Sequence, residues 1–586
     1  MKLLFFSPHA ALWVHAFPEA LIAEALQDSG HEIVYVTCGG QLKAGCNVMI
    51  AHGLSSETPL AERKQVCEAC TLQAGLLRRQ FRLKGADLAD ELQPEDREEI
   101  GRIFAGVTRD NFLDLTVHGA QIGRAALYEF LLDHKKSALT FTTDDEWRRY
   151  LVALKNTLYA AFAACRVMER ENPDAIVTYN ALYGINRAVC QVAAARGKPH
   201  YSLHASLNLA HRLQSMMISK GDVFTLLRQA IALWPALSQR PIDAAQARTV
   251  TDHFLELLVG SSVFAYSAPQ SGGTADPRSK LGIAPDKKVL CATLSSYDER
   301  FAAEAIGARA PVAGLLFPTQ AEWVRALIDY AGAHPELFLI IRVHPREFPN
   351  KREGVKSEHA RQLEEQFRNL PPNAAINWPA DNLSLYDLAE ITDVFLNAWS
   401  SVGKEMAMLG IPVVSYSENL PLYPVDERYL GTTSDTYFAA IGRALADGWQ
   451  FENIRRAYRW YNVEFESMVV DLADGFKLRE RRSLGWAQDK MEKLLRMIDP
   501  YWAQKRDCWL RPRRLASRQQ IAQLFESGAI SALDLAAPQA ASAASETSVL
   551  RAEIGRIRRA MYPQGSGPES RLGRWLTQVS TATQAG

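Results

Sequence analysis

The chain lacks most of the signatures that would assign it at once. No Gly-x-x-x-x-Gly-Lys-[Ser/Thr] loop occurs, and no Gly-x-Gly-x-x-Gly joins a strand to a helix, so nucleoside triphosphate hydrolysis and dinucleotide redox chemistry lose their usual supports. No Asp-x-Asp is present to hold a divalent cation against a diphosphate; fixed positive groups would have to stabilise a departing phosphate. Net charge is missing too, since 66 Lys and Arg balance 66 Asp and Glu. No overall field draws the chain to nucleic acid or to an anionic membrane, and any polyanion site must be local. No stretch approaches the ~18 uncharged apolar residues of a spanning helix. Eight cysteines in 586 residues are too few for a disulfide scaffold, which predicts a reducing, cytoplasmic setting. The apolar opening MKLLFF breaks at Ser7-Pro8-His9 with no small-residue cleavage site, so it reads as a first strand rather than a leader.

What is present is an ordinary globular composition, 47% hydrophobic and 23% charged, over a length that suits several domains. KLLFFS, an amphipathic helix to about Gln27 and HEIVYVT make a β-α-β opening. PDAIVTYN, a helix from about Ile185 to Arg196, and KPHYSLHA repeat the pattern. APQSGGTADPRSK, near 268 to 280, reads as a linker. Beyond it KKVLCATLS, LFLIIRVHP, DVFLNAW and IPVVSYS form a second series of strands separated by helical stretches. The expected fold class is α/β, with two Rossmann-like domains facing a cleft and a helical C-terminal extension. The expected boundaries are an N-terminal domain over 1–267 with helical and cysteine-rich insertions, and a second domain over 281–450. A helical return segment over 451–530 follows, then an Ala- and Ser-rich tail over 531–586, read as partly disordered or as a peripheral helix.

Ligands of parallel sheets collect at the carboxyl ends of the strands, which directs attention to two segments. IIRVHPRE delivers His344, Pro345 and Arg346 at the end of a buried strand, where an imidazole and a guanidinium can meet phosphate oxygens. NAWSSVGKE opens with Asn397 and places Ser400 and Ser401 where a strand turns into a helix, so hydroxyls, free N–H groups and the positive helix end share one point. Glu405 follows one turn later, within reach of ribose hydroxyls. A base for the other side of the cleft is expected on a loop after an N-terminal strand. His9 lies just beyond the first strand, and His15 precedes Glu19 by four residues, a spacing at which the carboxylate can orient its ring. Asn180, Asn186, Arg187 and His204, near later strand ends, are candidates for the acceptor side.

Cys38, Cys46, Cys67 and Cys70 join one Cys-x-x-Cys to two single cysteines nearby. Four thiolates suit a closed, structural zinc site. An iron–sulfur cluster would use the same ligands, and the plain alternative is four reduced cysteines that fall in one region.

Strand-His-Pro followed about fifty residues later by Ser-Ser-x-Gly-x-Glu-x-x-x-x-Gly-x-Pro-Val resembles the C-terminal domain of GT-B glycosyltransferases that use cytidine-activated donors. Bacterial sialyltransferases, capsule Kdo transferases and teichoic acid polymerases that use CDP-glycerol share this order. SPHAALWVHAFPEALIAEAL and PDAIVTYNALYGINRA are similar to the N-terminal half of bacterial surface-polysaccharide glycosyltransferases, and the resemblance spans roughly residues 1 to 450. It implies that His344, Ser400 and Ser401 bind the donor phosphate and Glu405 the nucleotide. It also implies a metal-independent enzyme, with no catalytic cofactor, that moves a sugar from a nucleotide-sugar, of CMP-Kdo or CMP-sialic acid type, to a glycan or glycolipid acceptor at the inner face of the membrane. CDP-glycerol-type polyol-phosphate transfer and a non-catalytic assembly role are the alternatives; nucleic acid is not an expected partner, and the oligomeric state is left open.

Overall fold

The computed structural model describes residues 1–42, 45–260, 266–271, 276–350, 354–476, 485–535, 542–563 and 570–582. Residues 272–275 of the expected linker, and 536–541, 564–569 and 583–586 of the expected tail, lie outside the described residues.

Every strand expected from the sequence forms. The first sheet holds β1 (Lys2–Phe6), β2 (Glu32–Val36), β3 (Ala175–Tyr179), β4 (His200–Ala205) and β5 (Ser215–Lys220). β1 runs parallel to β2 and β3, and β3 parallel to β4. These strands read as unbroken apolar runs because helices cover both faces of a parallel sheet. The pleat sends Leu4 and Phe6 to one core with Leu154 and Leu158, and Leu3 and Phe5 to another with Phe17 and Leu21. The second sheet holds β6 (Lys288–Thr293), β7 (Leu337–Arg342), β8 (Ala374–Asn377), β9 (Val394–Asn397) and β10 (Val413–Ser415). Its strands are all parallel, in the order β10-β9-β6-β7-β8. That is the doubly wound order in which the chain reverses direction between its first and fourth strands, here β6 and β9, leaving a crevice at their carboxyl ends. β1 and β3 form the matching switch point of the first sheet.

After the second domain the chain crosses back, and β11 (Val469–Asp471) pairs antiparallel with β5 at the edge of the first sheet. β5, β8 and β11 were not legible in the sequence; each is short or lies at or next to a sheet edge, so no long apolar run announces it. The expected tail is a correction. Helices Ala543–Met561 and Arg571–Thr581 bury Leu550, Ile554, Ile557, Met561, Leu572 and Leu576 in the core of the second domain. The Leu550, Ile554, Ile557, Met561 spacing is an amphipathic stripe that the preceding Ala/Ser-rich stretch obscured. The helix Asp144–Glu171 contains an 18-residue window of mean hydropathy 1.2, long and apolar enough by composition to cross a membrane. Two-thirds of that window is buried inside the protein, so it serves as a core helix of the first domain.

Candidate active site

At the β6/β9 switch point a cavity of about 620 Å³, counted to its open mouth, is lined by five of the expected donor residues: His344, Pro345, Ser400, Ser401 and Glu405. Thr293, at the end of β6, Arg342, at the end of β7, Tyr386, Tyr266 and Ser267 add to its polar wall. His344 Nδ1 accepts the Arg346 backbone N–H at 3.2 Å, which leaves the ring proton on Nε2. Burial, helped by the neighbouring positive charges of Arg346, Arg342 and Lys135, pushes His344 down to about 3. The imidazole is therefore a neutral hydrogen-bond donor at physiological pH. Lys135 comes from the first domain: buried, it donates to the carbonyls of Arg346, Phe348 and Val355 and so fixes the loop behind His344.

Glu405 is also buried, and its carboxyl group is raised by that burial. Ser401 Oγ donates to its Oε1 at 2.9 Å and Tyr386 OH to its Oε2 at 3.0 Å. Asn397 does not line the cavity. Its Nδ2 donates to the Ser400 carbonyl at 2.9 Å, as does Tyr423 OH at 3.0 Å, so Asn397 shapes the turn that presents the two serines. Gly403 makes this possible, because a Cβ there would stand 2.1 Å from Tyr423 OH and 2.9 Å from Asn397 Nδ2. The helix that follows is only Val402–Ala407, so the hydroxyls and Arg342, rather than a long helix dipole, supply the favourable field.

Arg346 is the clearest departure from expectation. It is buried in a pair with Asp298 at 2.5 Å and donates to Ser296 Oγ at 2.8 Å, and it is absent from the cavity wall. Arg342 lines the cavity in its place, held by Asn377 Oδ1 at 2.6 Å and the Leu383 carbonyl at 3.1 Å. The signal was in the sequence: alternate residues of an extended strand share a face, so Arg342 lies with His344.

The first domain gathers a second polar cluster where β1, β3 and β4 end. Glu19, wholly buried, brings Oε2 to 3.2 Å from His9 Nε2. The expected pairing of Glu19 with His15 does not form, because the His15 ring stacks on Tyr179 at 4.1 Å and 15°. Burial, with His9, His204 and Arg212 nearby, pushes His15 down to about 3. His204 is pushed down to about 4 by burial and by Arg212; its Nδ1 donates to the Ala205 carbonyl at 2.8 Å, leaving the Nε2 lone pair free to accept a proton. The other expected acceptor residues are engaged with backbone. Asn180 takes a left-handed conformation, φ 53°, and its Oδ1 accepts the Leu182 N–H at 3.1 Å. Asn186 Nδ2 donates to the carbonyls of Tyr179 and Asn180 at 2.5 and 3.3 Å. Arg187 reaches across to the second domain and donates to the Ile306 carbonyl at 2.8 Å.

One carboxyl group had no sequence signal. Glu129, on the helix Leu127–Asp133, accepts the Gly184 N–H at 3.0 and 3.1 Å and is pushed up to about 7 by burial. Burial pushes His253 down to about 3, helped by the positive charges of Lys404 and Arg212. His253 lies on Ala244–Val259, the helix whose Leu257 lines the donor cavity.

Cys38, Cys46, Cys67 and Cys70 are brought together around a separate cavity of about 390 Å³, and none forms a disulfide. Among the described residues, no three His, Cys, Asp or Glu side chains converge in a way that could hold a metal ion, so the expected metal site is not seen at the four cysteines.

No family model and no curated protein matches the chain. Similar solved structures include KpsC of Thermosulfurimonas dismutans, a beta Kdo 2,4 transferase, at 16% identity over 49% of this chain and 88% of that one, with a TM-score of 0.28. Another is the UDP-GlcNAc 2-epimerase of Neisseria meningitidis bound to UDP-GlcNAc, at 11% identity over 81% and 96%, TM-score 0.26. A third is the glycotransferase of kitacinnamycin, at 11% identity over 80% and 96%, TM-score 0.22. At TM-scores this low none of them bears on what the chain does, and the two Rossmann-like domains are read from their own strand order.

Proposed function

We propose that the chain is a GT-B glycosyltransferase that moves a sugar from a nucleotide-activated donor, of the CMP-sugar kind, to a surface polysaccharide or lipid-linked acceptor. The observation that carries this reading is the meeting of Arg342, His344, Ser400 and Ser401 on one cavity at the β6/β9 switch point. Donors from Arg342, His344 and Ser400, the first permanently cationic, suit a phosphate whose charge grows as the glycosidic bond breaks, and Ser401 joins them on releasing Glu405. His344 contributes Nε2–H without adding charge, and Arg342 supplies the cation without needing a metal.

Across the cleft His9 receives the acceptor hydroxyl proton, and Glu19 steadies the imidazolium so formed. The pair sits at ion-pair distance but off hydrogen-bond alignment, a looseness common before substrate closes a site. A lipid-linked acceptor also accounts for the helix Trp486–Ile498, which exposes Trp486, Met491, Leu494, Met497 and Ile498 beside Lys490, Lys493 and Arg496. Such a helix lies in the interface of an anionic membrane, apolar side down, and would keep the enzyme at its inner face.

Incubation with CMP-Kdo, CMP-sialic acid and CDP-glycerol, with products followed by mass spectrometry, tests the reading. Release of CMP with a glycosylated product supports it; turnover of CDP-glycerol alone replaces it with polyol-phosphate transfer, and turnover of none refutes it.

A further inference from the structure

We infer that Trp13 and Asp507 set the alignment of His9 with Glu19, and that an anionic bilayer beneath the helix Trp486–Ile498 acts on that pair through them. The inference rests on the glycosyltransferase reading and on the membrane attachment proposed with it, and adds regulation of the same site by the surface on which its acceptor lies. The helix touches the rest of the protein along one narrow stripe. None of its residues is buried, and only Glu492 and Leu495, with the cap residue Asp499 one further turn on, are even half-covered. Its other faces are open, and Lys490 Nζ lies 4.1 Å over the Trp486 ring, so charge and apolar surface are presented together.

From that stripe a line of ion pairs and hydrogen bonds runs inward. Glu492 Oε1 stands 2.6 Å from Arg506 Nη1, on the next helix, Trp502–Leu510. Arg506 Nη2 donates to Oδ1 of its neighbour Asp507 at 3.3 Å. Asp507 Oδ2 in turn accepts the indole N–H of Trp13 at 2.8 Å, inside the protein. Trp13 opens the helix Trp13–Gln27, which carries Glu19, and it follows directly on the turn closed by the Leu12 N–H on the His9 carbonyl at 2.8 Å. The outermost helix is thus joined, without a gap, to the turn that holds His9.

A chain of contacts transmits a change only if it ends on elements with two arrangements, and here both ends are unfinished. On the two outer helices Glu492 Oε2, Arg506 Nε, Trp502 Nε1 and Gln504 Oε1 are buried without a hydrogen-bond partner among the described residues. Native proteins leave few such atoms, so four on one pair of helices mark a packing with an alternative close by. At the inner end His9 Nε2 and Glu19 Oε2 stand 3.2 Å apart but off hydrogen-bond alignment. Between the ends lies Pro18, inside the helix. It has no N–H to give the Val14 carbonyl, so the ladder is interrupted between the first turn, which Trp13 anchors, and Glu19. The stack of His15 on Tyr179 fixes the rotation of that turn and leaves its tilt as the freedom.

A bilayer favours the second arrangement only through contacts it gains there. Leu495 and Trp502 are the half-buried apolar side chains that a helix drawn toward lipid would surrender to it, and headgroup oxygens supply the partner that Trp502 Nε1 lacks. Arg506 follows Glu492, Asp507 moves with its neighbour, and Trp13 tilts the first turn so that His9 Nε2–H closes on Glu19. Nδ1 is then the lone pair that meets the acceptor hydroxyl. Trp13 and Asp507 are positioning residues in this scheme; neither touches substrate.

The test uses the full chain and a soluble acceptor, with and without vesicles of phosphatidylglycerol and phosphatidylcholine in equal parts, and follows hydrogen exchange over residues 13–17 in the same samples. On the vesicles kcat should rise about tenfold, part of what a positioned base contributes, with KM for the donor unchanged. Exchange over 13–17 should slow. Trp13→Phe, which keeps the stack on Phe17 and removes the indole N–H, should sediment with the vesicles as wild type does but lose both the rise and the slowing. Should Trp13→Phe fail to fold, Glu492→Gln breaks the line at its outer end and should act alike. Wild-type protein that sediments with neither a rise nor slower exchange overturns the inference and leaves the attachment standing, and a rise that survives in both variants overturns it too. Failure to sediment removes the attachment and the inference with it. If no donor is turned over, the glycosyltransferase reading fails, and exchange over 13–17 alone then decides whether the bilayer reaches the His9 turn.

Discussion

Glu19, with no exposed surface, points its carboxylate at His9 across 3.2 Å, although it lies four residues from His15 on the same helix. Neither carboxylate oxygen has a hydrogen-bond partner among the described residues, so the imidazole is the group it is placed to serve. If His9 is the base, His9→Ala should lower kcat by about a hundredfold to ten-thousandfold, the range for losing a positioned base. Glu19→Gln should lower kcat less, and both should leave KM for the donor nearly unchanged. His15→Phe, which keeps the stack on Tyr179, should stay within a few-fold of wild type. Steady-state kinetics decides, and a wild-type rate in His9→Ala moves the base elsewhere, with Glu129 and His204 next in line.

Arg342 and Arg346 make opposite predictions from neighbouring positions. Arg342→Met should cut kcat by about a hundredfold or more, since it removes the buried cation from the donor phosphate, and His344→Ala should act alike. Arg346→Met leaves Asp298 buried and unpaired, a loss of about 3–5 kcal/mol. Its signature is a lower Tm with the kinetics of the surviving folded protein less affected. Nucleotide titrations followed by thermal shift separate the two outcomes, because bound ligand adds stability only where the site is intact.

How much of this was written in the chain can be read from those same residues. The strands were legible because a parallel sheet covered on both faces needs continuous apolar runs, and the ends of those runs located His9, His344 and the serine pair. Arg342 was legible in principle through the two-residue period of its strand. Glu19's choice of His9 was not, because the rotation of its helix is fixed by the stack of His15 on Tyr179, a contact across 164 positions. Glu129 had no signal at all: it becomes interesting only when its helix is packed against the turn before Gly184.

Gly403 should tolerate no side chain. A Cβ would meet Tyr423 OH at 2.1 Å, forcing apart the turn that Tyr423 and Asn397 hold. Gly403→Ala should cost about 1–3 kcal/mol through overpacking and raise KM for the donor. Combining it with Tyr423→Phe, which removes the colliding oxygen, should restore part of both losses, as measured by denaturant unfolding and kinetics.

The proposed membrane attachment rests on one face of one helix. Trp486 and Met497 are 74% and 82% exposed, values rare for such side chains without a partner. Wild-type protein should co-sediment with vesicles containing phosphatidylglycerol and much less with neutral vesicles, weakening as salt rises. Trp486→Glu with Met497→Glu should abolish sedimentation while leaving Tm and transfer to a soluble acceptor unchanged. Equal sedimentation of the double variant would remove the helix from the docking surface.

Stability should fall on mild acidification, and the sign follows from the histidines. His15, His253 and His344 are held at about 3 and His204 at about 4, whereas in the unfolded chain each titrates near 6.5. Between those values the unfolded state binds more protons than the native one, so each histidine withdraws stability as pH drops from about 6.5 toward 4. Glu129 and Glu347, both raised to about 7, act in the opposite direction: between about 4.5 and 7 the native state retains protons that the unfolded state has released. His359, held at about 4, adds to the histidine side, so the balance of these groups is a net loss of stability on acidification. His344→Gln should flatten the slope by about one proton, and Glu129→Gln should steepen it by the same amount. Urea unfolding at several pH values between 5 and 6.5 measures both, and a slope that neither substitution alters would mean that these groups titrate in the native protein as they do in the unfolded chain.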